Sequence, residues 1–230
     1  MDWSNFDDSY GRLKNVLRAL MGNGKDDHKL DVYGSYRNYE REIKIIVERI
    51  EEETLEYVKS FREISEIAQR EEEPDDELLD KLLKCHSLIR LDIKSFIIFT
   101  RIFIDTLAKI VTLCFGDKAK HLPQTMTTLL KDAKFLTLDP DFAEGFRNKM
   151  SWVTALVENR VEIEHCLGSI RWYTPEEGKF GFSIRGSRTR KNRELLGTDR
   201  IESITKYMKE ILSNLSEVIS FIYIKFNFLP

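Results

Sequence analysis

Arg160 and His165 stand five residues apart in a stretch that is helical by pattern. An imidazole takes and gives protons near neutral pH, and a guanidinium is a permanent cation with forked donors. On a helical wheel with Met150 at zero, Trp152, Leu156, Ile163 and Leu167 fall between about 200° and 260°, with Val153 and Val157 near 300° and 340°. Arg160, at about 280°, lies inside this apolar face and Glu164, at about 320°, lies beside it, where a solvated charge is not expected. Either Arg160 is held in an ion pair, by Glu164 at i,i+4 or by a carboxylate of another helix, or it serves a site. His165, at about 60°, is about 140° away, so the two need not meet within one protomer. A lone histidine placed this way also reads as structural.

A second group follows closely. Arg185, Arg188, Arg190, Lys191 and Arg193 put five cations in nine residues, just after Arg171, Trp172, Tyr173, Phe180 and Phe182. Cations beside aromatics suit single-stranded RNA, which stacks its bases and presents its phosphates. Taken alone, such a charge run also reads as a solvated loop. Arg171, Arg188, Arg190, Lys191 and Arg193 are the candidate RNA contacts. Cys85 with His86 and His165 with Cys166 do not make a zinc site, because adjacent helical residues point about 100° apart, so no metal is expected. Arg101, Asp105 and Lys109 form an i,i+4 ladder, read as a structural ion-pair row or as the lining of a cleft. No phosphate loop, nucleophile elbow or zinc-protease motif is present, and no cofactor is expected.

These residues need a frame. Asp7 to Met21 predicts a short amphipathic helix, and Gly22 to Asp31 a polar loop. From about Tyr36, the residues Ile43, Ile46, Val47, Ile50, Leu55, Val58 and Phe61 recur at helical spacing until EEEPDDE, Glu71 to Glu77, breaks the pattern. A second long helix, about Asp76 to Phe115, is expected to return antiparallel, with Gly116 as its stop. Thr125 to Lys134 predicts a short helix, and LDPDFAEGF, Leu138 to Phe146, a capped entry into a long helix running to about Gly168. IRWYT and KFGFSIR around Pro175 to Gly178 read as a β-hairpin inserted on a helical body. Asp199 to about Phe226 is again helical. The expected organisation is an N-terminal helix and loop over 1–35, then an all-α domain over 36–230 with the hairpin and basic loop at about 169–193.

Composition agrees with this frame. The chain has 230 residues, 42% hydrophobic and 33% charged, with 5 prolines and 11 glycines. That favours a folded helical protein over a disordered or all-β one. The three cysteines, Cys85, Cys114 and Cys166, are odd in number and sit in apolar helical runs, so they are expected to be reduced and buried. No signal peptide is apparent and a cytoplasmic location is expected. Ser95 to Phe115 carries Arg101, Asp105 and Lys109, so it reads as a core helix with no role in a membrane. The net charge of -3 offers nucleic acid no overall attraction, so any RNA contact must be local.

The string Arg160, Val161, Glu162, Ile163, Glu164, His165, an arginine, a hydrophobe, three residues and a histidine, resembles the signature of the HEPN superfamily. The layout is similar too, with two long antiparallel helices, about Tyr36 to Phe115, before the one bearing the motif. The resemblance implies a HEPN-like helical bundle that forms a homodimer, so that Arg160 and His165 of both protomers meet in one cleft. It also implies a metal-independent endoribonuclease, of the kind found among toxins and anti-phage defence effectors, with RNA as substrate and a cognate antitoxin as partner. Histidine would then activate the ribose 2′-hydroxyl and protonate the leaving 5′-oxygen, while Arg160 stabilises charge on the phosphoryl oxygens. Glu162 or Glu164 would orient His165 or neutralise Arg160. Val161 stands where the commoner pattern has a polar residue, often Asn. The alternative is a catalytically inactive HEPN-like module that binds a protein partner.

Overall fold

A computed structural model describes residues 3–21, 27–157, 169–173, 181–185 and 202–226, and the side chains of 3–20, 27–157 and 204–226. The described chain is mostly helical. It comprises α1 (Ser4–Met21), α2 (Asp27–Gln69), α3 (Asp76–Phe115), a 3-10 turn (Gly116–Ala119), α4 (Met126–Leu129), α5 (Ala133–Leu138), α6 (Pro140–Lys149) and α7 (Ile204–Phe226). Three short strands, β1 (Ser169–Tyr173), β2 (Gly181–Arg185) and β3 (Glu202–Ser203), pair antiparallel in the order β1-β2-β3. Trp172 lies opposite Phe182, and Phe182 opposite Glu202. Among the described residues, no helix is long and apolar enough to cross a membrane.

The chain divides into two compact units. The first contains 1–42, 99–157 and 209–230, and the second 43–98 and 158–208. In the first, Phe6, Tyr10, Leu13 and Leu17 of α1 recur every three or four residues and are all buried, so this helix is held by a single apolar stripe. Tyr10 stacks on Tyr36 at 4.2 Å and Tyr39 on Phe103 at 3.8 Å. The Tyr36 hydroxyl donates to the Tyr10 carbonyl (3.1 Å) and the Tyr39 hydroxyl to Thr100 Oγ1 (3.1 Å). Burial pushes the ionisation of all three tyrosines well up, so they remain neutral. A second ring cluster joins Phe135, Phe142 and Phe146 to Phe115, Phe221 and Phe226.

In the second unit, α2 and α3 run antiparallel, with Arg49 paired to Asp92 at 3.0 Å and Glu56 to Lys81 further out. Ile46, Val47, Ile50 and Tyr57 are buried on α2, and Cys85, Ile89, Ile93 and Phe96 on α3. The break between them is built from specific caps. Glu71 adopts φ 59°, the Glu72 N–H donates to the Ile67 carbonyl and the Glu71 N–H to the Ala68 carbonyl, which is a Schellman closure made without glycine. Asp75 then caps α3 by accepting from the Leu78 N–H at 2.7 Å.

Several boundaries differ from the sequence expectations. α2 begins at Asp27, so Asp27 to Asp31 is helix where loop was expected, because Val32, Tyr36 and Tyr39 extend the buried stripe toward the N-terminus. The single helix expected over Thr125 to Lys134 is two, since Asp132 caps a new start by accepting from the Phe135 N–H. α7 starts at Ile204, because Glu202 and Ser203 pair with β2.

Candidate functional site

The segment leading to Arg160 is firmly anchored. Asp139 caps α6 by accepting from the Phe142 N–H (3.1 Å), and Pro140 takes the first helical position, where no N–H is needed. Lys225 of α7 bonds the same carboxylate and holds its pKa below the ordinary aspartate value against the opposing effect of burial. Phe142 and Phe146 then fix the inner face of α6.

The helix expected from Asp139 to Gly168 is not continuous. α6 ends at Lys149, residues 150–152 form turns, and helical backbone resumes over 153–157. Met150 N–H is shared between the Phe146 (3.0 Å) and Arg147 (3.2 Å) carbonyls, and Ser151 N–H reaches that of Asn148 and Val153 N–H that of Met150, both i to i-3 bonds. Such bonds tighten the turn to about three residues. Met150, Val153 and Leu156, at steps of three, are accordingly all buried. A wheel phased on Met150 therefore does not carry through this point, because the tightened turn resets the phase at Val153. Trp152 Nε1 is buried with no acceptor among the described residues.

Arg160 and His165 lie outside the described residues, as do Glu162, Glu164 and Cys166 and the candidate RNA contacts Arg188, Arg190, Lys191 and Arg193. Arg171 lies on β1 with its backbone opposite Ser183 of β2.

In the ladder on α3, the Arg101–Asp105 step is an ion pair. Asp105 also accepts from the Met126 N–H at 2.8 Å, capping α4. One carboxylate thus neutralises a buried guanidinium and starts a helix. Burial, then a hydrogen bond with Glu53, pushes the Cys85 thiol up to about 11, and burial pushes Cys114 to about 12. Neither is an activated nucleophile. Burial, helped by the Arg90 cation, lowers the pKa of His86. No cluster of three or more potential metal-ligating side chains occurs among the described residues.

One concavity was not anticipated from the sequence. A groove of about 800 Å³ runs along α1 and α7, walled by Trp3, Phe6, Phe221 and Ile224. Its floor is a hydroxyl network in which Ser9 and Ser216 lie 2.8 Å apart, Ser220 donates to Ser9 (3.0 Å) and Ser216 donates to the Asn5 carbonyl (3.0 Å). Lys149 and Glu217 pair at its edge at 3.1 Å. The lining contains no histidine or cysteine, and its charged side chains are Asp8, Lys149, Lys209 and Glu217. The signal in the sequence was Ser216 and Ser220 at helical spacing on α7, but their partner Ser9 is more than two hundred residues distant. A scan of protein-family models and searches of curated proteins and of solved structures find no match to this chain.

Proposed function

We propose that the chain is a metal-independent endoribonuclease of the HEPN type, acting as a homodimeric toxin or anti-phage defence effector. The observation that carries this reading is the Arg160, Val161, x3, His165 string, placed after two long helices in a mostly helical chain. In this reading the bundle is HEPN-like, and the paired strands β1 and β2, with the basic run Arg188, Arg190, Lys191 and Arg193, offer RNA a local cationic surface on a molecule of net charge -3. Arg171 contributes from β1.

The chemistry follows from the residue types. One His165 takes the proton of the ribose 2′-hydroxyl, whose oxygen attacks phosphorus. The bond from phosphorus to the 5′-oxygen breaks, and the His165 of the second protomer protonates that oxygen. The two Arg160 guanidinium groups stabilise the added negative charge on the phosphoryl oxygens. The products are a 2′,3′-cyclic phosphate and a 5′-hydroxyl. The test is end-group analysis of RNA incubated with the protein in EDTA. Cyclic phosphate ends formed by wild type, and not by His165→Ala or Arg160→Ala, support the reading. 5′-Phosphate ends, or ends formed equally by the variants, reject it.

The second reading, a catalytically inactive HEPN-like module that binds a protein such as an antitoxin, is favoured by Val161 in place of a polar residue. It requires that wild type leave RNA intact in the same assay.

A further inference from the structure

The outer end of the α2–α3 pair carries a row of side chains that the described residues leave uncovered. From Phe61 to Lys84 none of the described residues is buried, whereas Ser60 and Cys85 on either side are. Along α3, Leu79, Leu83, His86, Arg90, Ile93 and Ile97 recur at alternating steps of four and three, the spacing of a seam that receives another helix. The inner end of this seam, Ile93 and Ile97, is buried. His86 and Arg90 are half-buried, while Leu79 and Leu83 are bare, at 36% and 61% exposure. The row continues outward through His86 and Arg90 to the two leucines, where the cover stops.

Charge indicates what could cover it. Residues 61–84 hold nine carboxylates, all exposed, against four cations, Arg62, Arg70, Lys81 and Lys84. This segment therefore carries -5 where the whole chain carries -3, so the rest of the chain is net positive. Two copies packed tip to tip would bring two such clusters together, which like-charge repulsion opposes. A cationic partner gains both the attraction and the leucines.

We infer that the outer seam of α3, Leu79 and Leu83 within its acidic collar, is a docking surface for a cationic amphipathic helix of another protein. Such a helix would lay its apolar face on the two leucines as a third helix of the hairpin, with lysines and arginines toward Glu63, Glu66, Glu71 to Glu73 and Asp80. The inference stands apart from the nuclease reading, and the two fail in different assays.

The test uses the full chain and a synthetic helix of about 18 residues with leucine at seam positions and lysine elsewhere, five turns in length. Binding is followed by fluorescence anisotropy and located by hydrogen exchange. Binding should protect amides within 61–84, weaken steeply with salt, and weaken about tenfold or more in Leu79→Ser and in Leu83→Ser, which lose apolar burial. Both leucines are exposed, so the variants should fold, and circular dichroism checks this. Weaker binding by Glu71→Gln/Glu72→Gln/Glu73→Gln would also support the inference. Absent binding, protection elsewhere, binding indifferent to the leucine substitutions, or equal binding of a matched leucine and glutamate peptide would each overturn it. A self-association of the free chain that Leu83→Ser abolishes would overturn it in favour of a second copy.

Discussion

Asp139 has two roles that pH separates. As a cap it only needs an oxygen for the Phe142 N–H, whereas its bond to Lys225 needs the carboxylate. Its pKa is lowered in the folded chain, so its contribution to stability is present above the unfolded value of about 4 and is lost as pH falls through and below it. Asp139→Asn keeps the cap and loses the titration. Urea midpoints measured against pH should therefore fall less steeply below about pH 4 in Asp139→Asn than in wild type. Equal slopes would show that the carboxylate is not what titrates. Asp105 carries more, since Arg101 is 8% exposed and Met126 depends on the same oxygens. Asp105→Ala should cost about 3 kcal/mol in chemical denaturation, the range for stranding one member of a buried pair. A loss below about 0.5 kcal/mol, the level of an exposed pair, would mean that Arg101 finds water or another anion.

The elements show what periodicity conveys and what it hides. The α2 stripe from Ile43, the break at Glu71 to Glu77, the stop at Gly116 and the cap at Asp139 follow from spacing and local hydrogen-bond chemistry, and the sequence displays them. The start of α2 was hidden because Asp27 to Asp31 is largely polar and, of residues 27–35, Val32 alone is buried, so the stripe there is too sparse to read before Tyr36. The turn at 150–152 was hidden because i to i-3 bonding leaves an apolar pattern that still passes for a helix. The groove along α1 and α7 depends on segments far apart in the chain, which no local pattern reports. Glu71 gives the element-scale prediction. A non-glycine residue at φ 59° costs roughly 1 kcal/mol, part of which glycine returns as unfolded-state entropy. Glu71→Gly should thus raise stability by up to about 0.5 kcal/mol, whereas Glu71→Val should lower it. Thermal midpoints in the opposite order would contradict the Schellman assignment.

For the whole molecule, stability should be uneven. The outer end of the α2–α3 pair buries nothing between Phe61 and Lys84, whereas Ile89 to Val111 of α3 is buried at most of its inward positions. Amide exchange should be fastest within 61–84 and slowest across about 93–111, with the latter tracking global unfolding. Uniform protection along α3 would mean that the outer end is already covered, for example by another copy. At this scale, function was legible only as a residue string and a layout. Arg160 and His165 were visible as an oddly placed charge and a titratable neighbour, but the sequence cannot bring two protomers together.

The claim on which the functional account rests is that His165 moves the proton in RNA cleavage. Its most direct measurement is the single-turnover rate of RNA cleavage in EDTA by wild type and by His165→Ala, with equal folding confirmed. Removing a general acid and base should slow the reaction at least about 100-fold. Cleavage by His165→Ala at the wild-type rate, or none by either protein, would contradict the account.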